Sequence, residues 1–174
     1  MNRNIETLLS TRRFQVVRMR HQSADGVLHA RDIVQHPGAV TIVPIVADKH
    51  VCLIRNYRVS VDESLVELPA GTLEPGENPI ECARRELTEE TGFRADRFEF
   101  LTSFYMSPGV LDEKMHLVLA TGLVAGPPAR EPGELIENMV VPWSTAMQMA
   151  CDGTIQDAKT LVGLLHYDQT RSGE

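Results

Sequence analysis

The sequence reads as one α+β domain preceded by a small N-terminal β-region. Apolar, β-branched runs of strand length recur along its 174 residues, whereas only three segments read as capped helices. Short turn signals join these segments, with no internal repeat and no long linker. The length suffices for one domain with a proper core and hardly for two.

After a polar start, "FQVVRMR" (14–20) and "LHARDIVQH" (28–36) read as strands joined by the turn "SADG". They form the N-terminal β-region, residues 1–38, and the main domain takes residues 39–174. "AVTIVPIVA" (39–47) is a nearly continuous apolar run suited to a buried strand, "DKH" turns the chain, and "VCLIRNYR" (51–58) follows as its hairpin partner. "LVELPAG" (65–71) is a short strand ending at Pro-Ala-Gly. Asn78 then caps a helix, with Pro79 at its first position and Glu81 placed as in a capping box. Ile80, Ala83, Leu87 and Thr91 mark its buried face, and Gly92 stops it. "FEFLTSFYM", "KMHLVLATGL" and "ENMVVPW" are later strands. "STAMQMACDG" (144–153) is a second helix with Ser144 as N-cap, and "DAKTLVGLLHY" (157–167) is a third, capped by Asp157.

A net charge of −7 argues against a general nucleic-acid-binding surface, though a small anionic substrate needs only local cations. Cys52, Cys82 and Cys151 are odd in number and lack metal-ligand spacing, as expected of reduced thiols in the cytoplasm. No apolar run is long enough to span a bilayer, and no signal-type segment opens the chain, so no membrane partner is expected. The six histidines are scattered without ligand spacing.

The first helix ends in "RRELTEETG" (84–92), where Glu86, Glu89 and Glu90 crowd one side at i, i+3 and i+4. Like charges at that spacing repel, and the C-terminal end of a helix favours cations instead. Arg85 can reach Glu81 and Glu89 along the helix, but no neighbour neutralises Glu86 and Glu90 together. A hard divalent cation does so, since Mg²⁺ prefers carboxylate oxygens and commonly bridges protein to phosphate.

The surrounding stretch "GTLEPGENPIECARRELTEETGF" (71–93) places Gly71, then Glu77 after five residues, then Arg85-Glu86 after seven more, followed by Leu87, Glu89-Glu90, Gly92 and Phe93. This resembles the signature of the Nudix hydrolases at every fixed position. The resemblance implies an α/β/α sandwich around a mixed sheet, and hydrolysis of a diphosphate that joins a nucleoside to another group. It implies Mg²⁺, with Mn²⁺ as a substitute, held by Glu86 and Glu90, with Glu89 a ligand or a close supporting catalytic residue and the carbonyl of Ala70 often an additional ligand. Arg85 would orient the carboxylates, and Gly71 and Gly76 would let the loop bend.

Beyond that stretch, "LIRNYR", "LVELPAGTLEPGE", "FYMSPGVLDEKMHLVLA" and "GELIENMVV…DGTIQDAKT" are similar to the ADP-ribose pyrophosphatase branch over residues 28–165. Members of that branch are homodimers that exchange N-terminal β-regions. Carried across, Arg31 and Arg58 match substrate-binding arginines, apt because guanidinium groups fork onto phosphates. Glu113 matches an acid near the sugar, with Ser107-Pro108-Gly109 shaping its loop. Glu67 either faces the site or pairs with an arginine. The branch also places a glutamate in a loop away from the signature as general base. Here Glu134 in "REPGELIEN" fits best, with Glu131 and Glu137 as alternatives because Pro132-Gly133 stands where relatives carry another acid.

The implied substrate is ADP-ribose, cleaved to AMP and ribose 5-phosphate, with GDP-mannose or another nucleoside diphosphate sugar as the alternative. A non-catalytic nucleotide sensor is the competing class, disfavoured by the intact signature. Phe14, Phe104 and Tyr105 are the aromatic side chains that could stack on a base, though each also suits a core.

Overall fold

The computed structural model describes residues 4–47, 49–130 and 135–171. The N-terminal region is an antiparallel meander of β1 (Asn4–Ser10), β2 (Gln15–Gln22) and β3 (Leu28–Gln35). It joins the rest where Val34 pairs in parallel with Leu111 at the start of β9 (Leu111–Val124). From there β9 runs parallel to β4 (Ala39–Val46) and antiparallel to β8 (Arg94–Ser107). The short β7 (Ala70–Thr72) lies on β4, and a second antiparallel group is built from β6 (Glu63–Glu67), β5 (His50–Arg58) and β10 (Ile136–Pro142).

Both faces of the central strands are covered, which is why β4 reads as a continuous apolar run. Val40 and Ile42 pack with Cys82, Ala83 and Leu87 of helix α1 (Pro79–Thr91). The alternate residue Val43 packs with Leu164 of α3 (Ala158–Arg171) and Ala146 of α2 (Trp143–Cys151). The result is an α/β/α sandwich around a mixed sheet, as the resemblance implied.

Several local expectations need correction. Residues 4–10 form a strand that a polar sequence concealed, paired along its length with β2. The hairpin of β4 and β5 is confined to its tip, where Ile45 and Val46 pair with Val51 and His50, because β4 otherwise pairs with β7 and β9. "LVELPAG" splits into β6 and β7 around Pro69, which has no N–H to donate. Helix α2 begins at Trp143 with Pro142 before it and no side-chain cap, so Ser144 lies inside the first turn. The Trp143 N–H is satisfied by the Lys49 carbonyl at 2.7 Å. Helix α3 continues four residues past Tyr167, where Arg171 lies 4.4 Å over the Trp143 ring and pairs with Asp168.

Candidate active site

The acidic turn is held by its helix and by what meets the helix end. Asn78 Oδ1 accepts from the Ile80 N–H at 2.8 Å, Pro79 occupies the first position, and Gly92 closes the helix in the left-handed region at φ 78°. Glu81 pairs with Arg84. An α-helix leaves four carbonyls unsatisfied at its C-terminus, and here each has a donor. Thr88 O accepts from the Gly92 N–H, Glu89 O from the Ala129 N–H, Glu90 O from Arg130 Nε and Thr91 O from Asn138 Nδ2. The last turn itself carries no basic residue, so Arg130 supplies from outside the cation that the helix dipole favours there.

Arg85 is the hub of the carboxylates. Its Nε and Nη2 fork onto Glu77 at 3.0 Å each, while Nη1 reaches Glu86 at 2.6 Å and Glu89 at 3.1 Å. Nη2 also donates to the Thr72 carbonyl. Glu77 therefore takes the place expected for Glu81: the guanidinium folds inward over the loop rather than along the outer face of the helix. The Arg85 hydrogen bonds hold the Glu77 carboxyl at a pKa of about 2, and those to Glu77 raise the pKa of the guanidinium in return.

Glu90 is buried, and its Oε2 accepts from the Ala70 N–H at 3.0 Å. Glu86 lies against Gly71 so closely that a β-carbon there would fall 1.8 Å from its carboxyl carbon. Gly71 is thus required for clearance, whereas Gly76, at φ 79°, is the glycine that lets the loop bend. Cys82 sits behind this loop, with burial raising its thiol pKa; burial likewise pushes Cys52 up to about 12.

These donors fit a hard divalent cation: three carboxylates on one helical turn, a backbone carbonyl at Ala70, and a space at Gly71 that no other residue would leave open. Among the described residues no three acidic or imidazole groups converge on one point as ligands. Instead, Arg85 Nη1 bridges Glu86 and Glu89 as a cation would.

Arg85, Glu86, Glu89, Glu90, Ala70 and Arg58 line a single cleft of about 790 Å³. Arg12, Arg13 and Phe14, from the turn between β1 and β2, line it as well, so it combines the carboxylates of α1 with guanidinium groups from the N-terminal meander. Sequence reasoning missed Arg12 and Arg13; the only signal was "TRRF" beside an unrecognised strand. An adjoining hollow of about 390 Å³ shares Arg58, Ala70 and Gly71 and also holds Glu67 and Glu113. Glu67 accepts a fork from Arg58, Nε at 2.7 Å and Nη2 at 2.5 Å, and also meets Lys159. Burial raises the Glu67 pKa, but Arg58 and Lys159 outweigh it and the net shift is downward. Glu113 lies 3.4 Å from His36 Nδ1.

The remaining expected residues lie elsewhere. Arg31, on β3 opposite Met19, is exposed and lines neither cavity within one chain. Glu137 is exposed on β10 opposite Arg55. Glu131 and Glu134 fall outside the described residues. Phe14 is 37% exposed in the cleft, whereas Phe104 packs against the α3 side of the core and Tyr105 is exposed.

A family model described as the NUDIX domain matches residues 35–161. A methanol dehydrogenase activator of Bacillus methanolicus is 37% identical over 142 residues, covering 80% of this chain and 77% of that protein. An ADP-ribose pyrophosphatase of Bacillus subtilis is 38% identical over 138 residues, covering 78% and 75%. A GDP-mannose pyrophosphatase of Klebsiella pneumoniae is 35% identical over 159 residues, covering 84% and 79%. Among solved structures, that of an ADP compounds hydrolase superposes with a TM-score of 0.84 at 31% identity, covering 98% of this chain and 92% of that one.

Proposed function

The chain belongs to the Nudix family and is a pyrophosphohydrolase; from that premise we propose that it hydrolyses a nucleoside diphosphate sugar, ADP-ribose before others, to AMP and ribose 5-phosphate. The observation that carries this reading is the pairing, in one cleft, of the Glu86–Glu89–Glu90 turn with the guanidinium groups of Arg12, Arg13 and Arg58. A diphosphate is the ligand that needs both: cations enough to offset its charge, and carboxylates to hold the metal that supplies the rest.

Glu86, Glu89, Glu90 and the Ala70 carbonyl would hold Mg²⁺, or Mn²⁺ in its place. When bound, such an ion offsets phosphate charge and lowers the pKa of a coordinated water. Arg85 orients Glu86 and Glu89 and keeps their mutual repulsion low when no metal is present. Arg58 retains N–H donors beyond those given to Glu67, and with Arg12 and Arg13 it fixes the diphosphate oxygens. Phe14 offers a partly exposed ring in the cleft for a base. Water attacks one phosphorus, the bond to the bridging oxygen breaks, and Glu134 takes the proton, with Glu131 and Glu137 as the other acceptors to test. Glu113 faces the sugar.

GDP-mannose is the second substrate reading, favoured by the Klebsiella relative. The protein acts as a homodimer in this proposal: Ile5, Leu8 and Leu9 of β1 are 42–52% exposed, and Arg31 needs a partner to meet a cleft. Among the described residues no helix is long and apolar enough to cross a membrane, and we place the enzyme in the cytoplasm, where its free cysteines stay reduced. The test is turnover of ADP-ribose and GDP-mannose with Mg²⁺ and with EDTA. Metal-dependent release of AMP supports the reading, and release of neither AMP nor a sugar phosphate overturns it.

A further inference from the structure

The segment "DAKT" at the start of α3 caps a helix and also carries two of the buried polar side chains among the described residues, Lys159 and Thr160, with Asp157 partly buried beside them. Lys159 is 7% exposed, Thr160 is fully buried, and both face the end of β6, which leads into the loop before the acidic helix. Lys159 Nζ donates to Glu67 Oε2, the same oxygen that takes Arg58 Nη2, and lies 2.9 Å from Asp157 Oδ1. The other Asp157 oxygen caps the helix at the Thr160 N–H and accepts from the Thr160 hydroxyl. That hydroxyl in turn accepts from the Leu68 N–H at 2.8 Å.

Leu68 carries the last backbone N–H before Pro69, which has none, and after Pro69 comes Ala70, whose N–H holds Glu90. One helical turn therefore grips the chain at two points, Glu67 and Leu68, immediately before the corner that meets the acidic helix. Stability alone does not call for this arrangement. Burying two acids, a lysine and part of an arginine is at best neutral against apolar residues of the same volume. What it does supply is a fixed direction. Glu67 is 1% exposed at its side chain and has no freedom to swing, so the half-exposed Arg58 forked onto it presents its remaining donors at one place in the cleft.

We propose that Asp157, Lys159 and Thr160 form a positioning unit for the diphosphate site: Lys159, acting through Glu67, aims the Arg58 guanidinium. Lys159 lines the adjoining hollow, but its ammonium is engaged by two carboxylates of the protein itself, Glu67 and Asp157, so it is a positioning residue rather than a catalytic one. This inference rests on the reading of Arg58 as a phosphate ligand.

The experiment is a double-mutant cycle on the Mg²⁺-loaded enzyme with ADP-ribose, using Arg58→Met, Lys159→Met and the double variant, with a melting temperature for each. Lys159→Met is expected to raise KM about tenfold, with kcat changed less than about threefold and the half-saturating Mg²⁺ concentration unchanged. In the Arg58→Met background it should raise KM no further, because the group it aims is gone. A purely structural lysine would lower the melting temperature and leave KM alone, or add its full effect in the double variant; either result overturns the inference. Arg58→Met with an unchanged KM, or a wild type inactive on ADP-ribose, overturns the underlying reading instead. If Lys159→Met does not fold, Asp157→Asn, which keeps a capping oxygen but removes one of the two carboxylates that hold the lysine, should raise KM in the same direction by a smaller factor, and an unchanged KM there counts against the proposal.

Discussion

Replacing Gly71 by alanine should separate the fold from its chemistry. The backbone at Gly71 is ordinary strand, so alanine meets no strain there and reduces the freedom of the unfolded chain, worth about 0.4–1 kcal/mol in favour of folding. The added β-carbon, however, falls 1.8 Å from the Glu86 carboxyl carbon and 1.9 Å from Oε1. Ordinary carbon contact is about 3.5 Å, so the carboxylate must retreat by about 1.7 Å. The end of a flexible side chain does this at little cost in stability. A metal whose oxygen ligands sit at about 2.0–2.1 Å does not tolerate it. We expect Mn²⁺ affinity, read by electron paramagnetic resonance on the free protein, to fall at least about tenfold to hundredfold, the loss that even indirect disturbance of a ligand brings. The melting temperature without metal should stay level or rise slightly. A Gly71→Ala enzyme with wild-type Mn²⁺ affinity and turnover would show that Glu86 is no ligand in this position.

Glu90→Gln keeps shape and an oxygen for the Ala70 N–H, so the protein should fold normally and lose metal-dependent turnover; a near-normal rate would remove Glu90 from the metal site. The Glu77 pKa is depressed from 4.5 to about 2, so the stability that pair contributes is complete above pH 4.5 and is lost as pH falls towards 2. Glu77→Gln should therefore flatten the fall of melting temperature across that window, and equal slopes would count against the pair. The buried Thr41 hydroxyl has no hydrogen-bond partner among the described residues, and Thr41→Val should stabilise the protein by roughly 1 kcal/mol in urea unfolding. A loss of stability there would mean the hydroxyl is satisfied in solution.

Much of the site was legible because one helical turn carries it. The spacing of Glu86, Glu89 and Glu90 fixes a shared side, and Asn78, Pro79 and Gly92 fix the ends of the helix, all through local rules. What escaped depends on contacts between distant segments. Arg85 chose Glu77 over Glu81 because the preceding loop folds back over the helix, which i,i+4 reasoning does not contain. Three of the four donors to the last helical turn come from residues 129, 130 and 138, and Lys159 meets Glu67 from 92 positions away. Strand β1 was hidden because "NIETLLS" alternates weakly and is half exposed, and with it went Arg12 and Arg13. Gly71 was read as a hinge, although its role is the absence of a side chain beside Glu86.

The most direct test of the account is product analysis with ADP-ribose as substrate, run with Mg²⁺ and with excess EDTA. AMP and ribose 5-phosphate formed only in the presence of metal is the predicted result. Absence of cleavage of ADP-ribose, GDP-mannose and other nucleoside diphosphate sugars with both Mg²⁺ and Mn²⁺ would contradict it.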